Sequence, residues 1–446
     1  MKDLEVTTAL RWKTFAGVEL DRITFPAGEH GYASTYQIYQ PVLEQTLRDG
    51  AARFGNVVSI RYGEEVTSLE QDADGVSVST KDLATGAVTT LRARYVLACD
   101  GGSSGIREQL GVKMLGDTID TKWVIIDAFV KRWWPDRNLL TFWSDPKRPV
   151  VDIALSLGTH RWELPLQAHE TESDFTTKEQ LWSLLKPIGV SEDDVEIHQH
   201  AFYKHHVRHA ERWRIDRVFL LGDAAHLMPP WAGQGMQSGM RDSFNLSWKL
   251  AEVLAGRLPD AVLDTYEIER APDVAKYTAI SVQFGRLVKM ELSEEELAAQ
   301  RPDPDAPPAS LPLMALASYP TGWFTGKIDE GSAVGKMIPQ PFVMTAKARQ
   351  VRLDDLLGPD FVVLGASVDP ATVMSAEQKA AWDNLGATYH VIRAPDEHSS
   401  ASTDIIDIHR TLLDWMAAHG VRVIALRPDR FVAAADATGL DVPGRS

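Results

Sequence analysis

The sequence predicts an α/β chain that shades into α+β, and three stretches carry that prediction. Arg217 to Gly256 reads as a buried strand, an acidic turn, a Gly/Pro-rich loop and a long helix. Tyr95 to Gly111 repeats strand, acidic turn and helix on a smaller scale. Between them, Thr121 to Gln167 is rich in β-formers and tryptophan, which requires a sheet of its own.

In the first stretch, Val218, Phe219, Leu220 and Leu221 form an apolar run that stops at Gly222 and Asp223, as a central strand stops where a ligand begins. Pro229, Pro230, Gly233 and Gly235 then forbid a continuous helix or strand. From Gly235 a helix is expected, with Met236, Met240, Phe244, Ser247, Leu250, Val253 and Leu254 at helical spacing on the face that packs inward. A helix N-terminus beside a glycine loop and a carboxylate suits a planar or anionic ligand with hydroxyl groups. On the glycines alone, an ordinary βα turn with an exposed aspartate explains the pattern as well.

Composition narrows the classes. At 446 residues the chain has room for two or three cores. A net charge of −16 argues against nucleic acid or an anionic membrane as partner. The single cysteine, Cys99, rules out an internal disulfide or a Cys-x-x-Cys site, so a cytoplasmic location is expected. No apolar run reaches spanning length, and Met1 to Leu20 lacks the apolar core of a signal peptide.

From the start of the chain, Val6 to Trp12 and Val18 to Phe25 are expected as antiparallel strands, followed by a polar turn at Pro26 to Gly31. Pro41 opens a helix to Gly55, with Val42, Leu43, Leu47, Ala51 and Phe54 on one face. Strands follow at Val57 to Tyr62, Glu65 to Glu70, Val76 to Thr80 and Val88 to Cys99. In the last of these, Tyr95 to Cys99 is expected to be buried, with Cys99 as a small apolar residue. Asp100, Gly101 and Gly102 leave its end, and Ser103 or Ser104 caps a short helix closed by Gly111. The histidines at 198, 200, 205, 206 and 209 fit no compact metal motif, and no metal is expected.

Tyr266 to Met290 continues as helix, and Gln300 to Leu313, with five prolines among its residues, reads as a linker or surface excursion. From about Gln340 the order is a strand at Phe342 to Met344, a helix at Leu353 to Leu357 and a strand at Phe361 to Ala366. A helix at Ala376 to Leu385, a strand at Tyr389 to Arg393, a helix at Thr403 to His419 and a hairpin around Pro428 and Asp429 complete it.

The string GDAAHLMPPWAGQGMQSGMRDSFNLSWKL, Gly222 to Leu250, resembles the second flavin-binding motif of class A flavoprotein aromatic hydroxylases, the para-hydroxybenzoate hydroxylase type. LACDGGSSGIREQLGV, Leu97 to Val112, resembles the same family's DG motif. The resemblance implies a Rossmann-like FAD-binding domain with an inserted β-sheet substrate domain. It implies that Asp223, with Gly222, holds the ribityl chain of FAD and that Pro230, Gly233, Gln234 and Gly235 border its ring. Gln40, Asp100, Gly101 and Arg107 fall at further cofactor-binding positions, with Arg107 equally readable as a surface residue. The carboxyl-terminal part is similar to the thioredoxin-like domain of phenol hydroxylase and hydroxyphenylpropionate hydroxylase relatives, and has no redox cysteines. It reads as a structural or dimer-contact module, which leaves a homodimer open.

The implied division is 1–120 and 211–335 for the FAD-binding domain, 121–210 for the substrate sheet and 340–446 for the thioredoxin-like domain. The implied reaction uses NADH or NADPH and O₂ to hydroxylate a small phenolic compound. Catalytic side chains are not assigned; Tyr203 and His226 are the candidates. The family's opening GxGxxG segment is not found in Met1 to Asp100, which predicts weak FAD binding. A non-catalytic remnant acting as a binding partner is the alternative from another class, and a halogenase the alternative within the fold.

Overall fold

Ala9–Thr14 (β1) and Glu19–Thr24 (β2) pair antiparallel, as their alternating sequences require. The computed structural model describes residues 4–25, 32–293, 295–296, 316–326, 328–399 and 401–444. The expected turn at Pro26 to Gly31 and linker at Gln300 to Leu313 lie outside the described residues. Contacts divide the chain into two units, one drawn from Met1–Pro26, Ala33–Gly235 and Thr278–Ser310, the other from Ala27–Tyr32, Met236–Tyr277 and Leu311–Ser446.

In the first unit, helix α1 is Gln40–Ala52, with none of its residues buried. The strand expected at Val57 to Tyr62 does not form: the amides of Val57 and Val58 bond back to the Phe54 carbonyl in a turn, and Val57, Ile60 and Tyr62 are exposed. Glu64–Gln71 (β3), Val76–Asp82 (β4) and Val88–Ala93 (β5) make a small antiparallel sheet. The single strand expected from Val88 to Cys99 breaks after Ala93, and Val96–Ala98 (β6) joins a different sheet. The short helix α2, Gly105–Gln109, follows.

The tryptophan-rich run becomes a large sheet. Met114–Val130 (β7), Leu140–Ser144 (β8), Val150–Ala154 (β9), Thr159–Pro165 (β10) and Val195–Ala210 (β11) take the order β11-β7-β10-β9-β8-β1-β2. Period-two alternation sends Val124, Ile126, Trp162 and Leu164 to one face, where they pack with Leu181, Trp182 and Leu185 of helix α3, Lys178–Leu185. The other face carries Trp123, Asp127, Arg161, Glu163 and Tyr203, a mixture of aromatic and ionisable groups. Arg161 donates to both Asp127 oxygens at 2.8 and 3.0 Å. After this sheet come Arg214–Ile215 (β12), Val218–Leu220 (β13) and His226–Leu227 (β14), the last extending the large sheet beside β11.

Helix α4 is Gly235–Leu254 and helix α5 is Thr265–Val288. In the second unit the expected inward face of α4 is reversed. Met236, Met240 and Phe244 are exposed, Phe244 at 70%, while Asp242, Asn245, Trp248 and Lys249 are buried. The reason is ionic. Lys249 and Asn245 reach Glu269 at 2.8 and 2.6 Å, Arg427 grips both Glu269 oxygens at 2.9 Å, and Arg270 reaches Asp242 at 2.8 Å. Hydrophobic spacing cannot register a face that is buried through paired charges.

Further along are Phe342–Thr345 (β15), Gln350–Arg352 (β16), Leu353–Leu357 (α6), Val362–Ala366 (β17), Ala376–Asn384 (α7) and Thr388–Arg393 (β18). Ile405–Ile406 (β19), Thr411–Ala418 (α8), Val423–Leu426 (β20) and Val432–Ala435 (β21) complete a seven-stranded sheet of order β16-β15-β19-β18-β17-β20-β21. The helix expected from Thr403 begins only at Thr411. Ile405 and Ile406 pair with β18 instead, and the Asp407 carboxylate accepts the amides of Leu412 and Leu413 at 2.7 and 2.9 Å, fixing the late start. Among the described residues, no helix is long and apolar enough to cross a membrane.

Candidate functional site

Two parallel strands end side by side in the first unit. β13, wholly buried, pairs with β6 in register Val218 to Val96, Phe219 to Leu97 and Leu220 to Ala98, and the Leu221 amide extends the ladder to the Ala98 carbonyl at 3.0 Å. The turns Cys99-Asp100-Gly101 and Gly222-Asp223-Ala224 therefore leave the sheet at the same end, the carboxyl end, where such sheets bind ligands. β6 is less buried than expected: it is the edge strand of the three-stranded sheet, only Ala98 is buried, and Cys99, just past the paired residues, is exposed. That exposure corrects the expectation of a buried thiol.

Each turn is locked locally. Gly222 has φ +56°, the left-handed region that favours glycine. Asp100 accepts the Ile106 amide at 3.0 Å, and Ser104 accepts the Arg107 amide at 3.0 Å, so both side chains cap α2. A side chain on Gly102 would meet Leu227 at 3.1 Å, so this glycine permits the close approach of the two turns. Arg107 then fastens them together: Nη2 donates to the Gly102 carbonyl at 2.8 Å and Nη1 to the Ala224 carbonyl at 3.0 Å. Arg107 is thus a brace between the motifs rather than a surface helix residue.

The Asp223 side chain stays open to solvent and accepts no hydrogen bond from the described residues. Loss of part of its hydration beside the sheet end pushes its pKa up, and the nearby His226 opposes that rise. The loop beyond is a 3₁₀ turn, Pro230–Ala232, closed by Gly233 in the left-handed conformation with its amide on the Pro230 carbonyl at 2.7 Å. Gln234 is buried and donates to the Ala232 carbonyl at 3.3 Å, and Gly235 is the first residue of α4. The Trp231 side chain packs against Gly285, where an added Cβ would come 2.0 Å from the ring.

The expected site residues are thus largely gathered: Asp100, Gly101, Arg107, Gly222 and Asp223 at the strand ends, with Pro230, Gly233, Gln234 and Gly235 in the loop that follows in the chain. Gln40 is not joined to them by a hydrogen bond; it is exposed at the start of α1, and its amide donates to Glu44 of the same helix at 2.9 Å. Of the two candidate catalytic side chains, Tyr203 commits its hydroxyl to Glu163 at 2.8 Å, and burial pushes its pKa up. His226 is buried against Trp213, ring centroids 5.1 Å apart. Sequence reasoning missed Glu163, His205 and Trp231. The only signal for the first two is the period-two alternation of β10 and β11, which places them on the sheet face away from α3.

The sequence matches the family model of the FAD binding domain over residues 4–281 and that of the HcaD C-terminal domain over residues 335–442. It is 37% identical over 433 residues to a 3-(3-hydroxy-phenyl)propionate/3-hydroxycinnamic acid hydroxylase 2 of Burkholderia vietnamiensis, covering 92% of this chain and 78% of that one. A 3-(3-hydroxy-phenyl)propionate/3-hydroxycinnamic acid hydroxylase of Shigella sonnei is 33% identical over 442 residues, 96% of this chain and 79% of the relative. Among solved structures, aklavinone-11 hydroxylase with FAD and aklavinone superposes with a TM-score of 0.79 at 22% identity, covering 99% of this chain and 85% of the other. The flavin-dependent monooxygenase PieE, with FAD and substrate, gives 0.78 at 22% identity, covering 98% and 84%.

Proposed function

The chain belongs to the FAD-dependent aromatic hydroxylases, and from that premise we propose that it uses NADH or NADPH and O₂ to hydroxylate a small phenol carrying a short acidic side chain. The observation that carries the reading is the pair of acidic turns at the ends of β6 and β13, tied by Arg107 and followed by the Pro230 to Gly235 loop.

The residues present fit FAD. Asp223 offers a carboxylate that accepts no hydrogen bond from the described residues, suited to accept a ribityl hydroxyl. Asp100, exposed just past the end of β6, has one oxygen committed to the Ile106 amide of α2. The Gly233 to Gly235 turn offers a planar ring a backbone with little side-chain bulk, since Gly233 and Gly235 carry none and Gln234 is buried and donates to the Ala232 carbonyl. Gln40 joins this set only by turning its amide away from Glu44. When bound, the flavin supplies the redox chemistry. This chain's own residues orient it, exclude water, and hold the phenol so that its ring is electron-rich at the position oxidised.

Both substrates in the relatives' names are phenyl rings with a meta hydroxyl and a three-carbon acid, and that class is the one we assign. The segment 340–446, which the HcaD C-terminal domain match largely covers, reads as thioredoxin-like, with a structural or dimer-contact role. It transfers no electrons through thiols, because the chain's one cysteine, Cys99, lies outside it.

The test is turnover of the FAD-supplied chain with NADH or NADPH and a panel of phenols under ¹⁸O₂. A ring-hydroxylated product with one labelled oxygen is expected from 3-hydroxyphenylpropionate or 3-hydroxycinnamate. Reductant consumption with no labelled product from any phenol would overturn the assignment.

A further inference from the structure

On the sheet face away from α3, His205 is 2% exposed, and neither of its ring nitrogens has a hydrogen-bond partner among the described residues. Trp123 and Trp231 surround it, with ring centroids 5.4 and 4.5 Å away, and their indole nitrogens are likewise buried and unpartnered. Buried polar atoms are seldom left this way, because each costs about 1–3 kcal/mol. Four such atoms, the two His205 nitrogens and the indole nitrogens of Trp123 and Trp231, fall in one cluster here, and the cluster includes the tryptophan of the Pro230 to Gly235 loop. Resting on the function proposed above, we infer that His205 is the residue that recognises the phenolic hydroxyl of the substrate, assisted by the indole N–H groups of Trp123 and Trp231.

The chemistry is complementary. A neutral imidazole has one bare nitrogen and one N–H, and an indole only a donor. A phenol hydroxyl donates to the bare nitrogen and accepts from an N–H, so a single group satisfies two orphaned atoms. A ring without the hydroxyl leaves both unpaired and is rejected for that reason. Accepting from the phenol oxygen draws its proton outward and enriches the ring in electrons, which is what oxygen transfer to the ring requires. Burial, with Lys289 and His206 adding to it, pushes the His205 pKa down to about 4, so the ring is neutral at neutral pH and retains its acceptor.

The surroundings hold the group rigidly. The pairing of β11 with β7 slips between Lys204 and His205, which re-aims the strand at this point. Tyr203 packs on the imidazole at 4.7 Å and is itself anchored by its bond to Glu163, so its hydroxyl is already used. Trp231 is backed by Gly285 and has the Lys289 ammonium 5.7 Å from its ring centre.

The test compares binding of 3-hydroxyphenylpropionate and of phenylpropionate, which lacks the hydroxyl, to the full chain supplied with FAD, read by calorimetry. The native chain is expected to favour the hydroxylated acid at least tenfold. His205→Phe should remove that preference by weakening only the hydroxylated acid, and His205→Gln should restore part of it. Trp231→Phe, which keeps an aromatic ring and loses the N–H, should reduce the preference severalfold and carries the test if His205→Phe does not fold. Equal binding of the two acids by the native chain, or a preference unchanged in these variants, would overturn the inference. If such variants still yield labelled hydroxylated product at native rates, this inference falls while the function stands; no binding and no turnover of any phenol fells both.

Discussion

Arg107 donates through Nη1 to the backbone carbonyl of Ala224 at 3.0 Å, so the helix after one acidic turn is bolted to the turn that carries Asp223. The bond spans the whole inserted sheet in sequence. It makes the two motifs one site instead of two turns that happen to share a sheet.

Removing that brace should loosen the cofactor seat before it harms the fold. A charged group's hydrogen bond contributes about 1.5–3 kcal/mol, so Arg107→Leu should weaken FAD binding roughly tenfold or more. Arg107→Lys, which reaches one carbonyl at most, should fall between. Flavin fluorescence titration reads the effect, and a native-like FAD affinity in Arg107→Leu would count against the brace.

Gly285 is required by Trp231. An alanine there sets its Cβ 2.0 Å from the ring, so the indole must leave its position. Gly285→Ala should cost about 1–3 kcal/mol from overpacking despite the better helix propensity of alanine. The near-ultraviolet circular dichroism should change with it. An unchanged melting temperature and tryptophan spectrum would mean the ring is not held there.

In the second unit the buried cluster of Lys249, Glu269 and Arg427 should dominate acid stability. Burial alone would raise the Glu269 pKa, but Arg427 and Lys249 outweigh it and lower the value from 4.5 to about 2. A carboxylate with a lowered folded pKa contributes stability above its unfolded pKa and loses it as the pH falls toward the folded one. Stability should therefore drop between about pH 4.5 and about pH 2, and Glu269→Gln should flatten that limb in urea unfolding. At neutral pH, Arg427→Met should cost about 3–5 kcal/mol by leaving Glu269 underpaired. An acid limb of the same slope in Glu269→Gln would show that other carboxylates set it.

These same charges explain what the sequence could and could not disclose. The strand ends, the glycine turns and the loop from Pro230 to Gly235 were legible because their chemistry is local: an apolar run, a breaker, a carboxylate. The inward face of α4 was not, since Asp242 and Lys249 are buried only by virtue of Arg270 and Glu269 on another helix and Arg427 far along the chain. Cys99 read as buried and Val57 to Tyr62 as a strand because they are apolar, yet Cys99 is exposed just past the edge strand and Val57, Ile60 and Tyr62 are exposed at and beyond a turn. His205 looked like one histidine in a dense patch. Its distinction is that its two nitrogens are enclosed with no partner, a property of the packing of β11, β7 and the Trp231 loop.

The central claim is that Asp223 and the turn around it hold FAD. The most direct measurement is the dissociation constant of FAD for the native chain and for Asp223→Ala, taken side by side by flavin fluorescence at neutral pH. With a hydroxyl-to-carboxylate bond worth about 1.5–3 kcal/mol, the account predicts saturable binding by the native chain and at least about tenfold weaker binding by the variant. Equal constants, or no saturable FAD binding by the native chain, would contradict it.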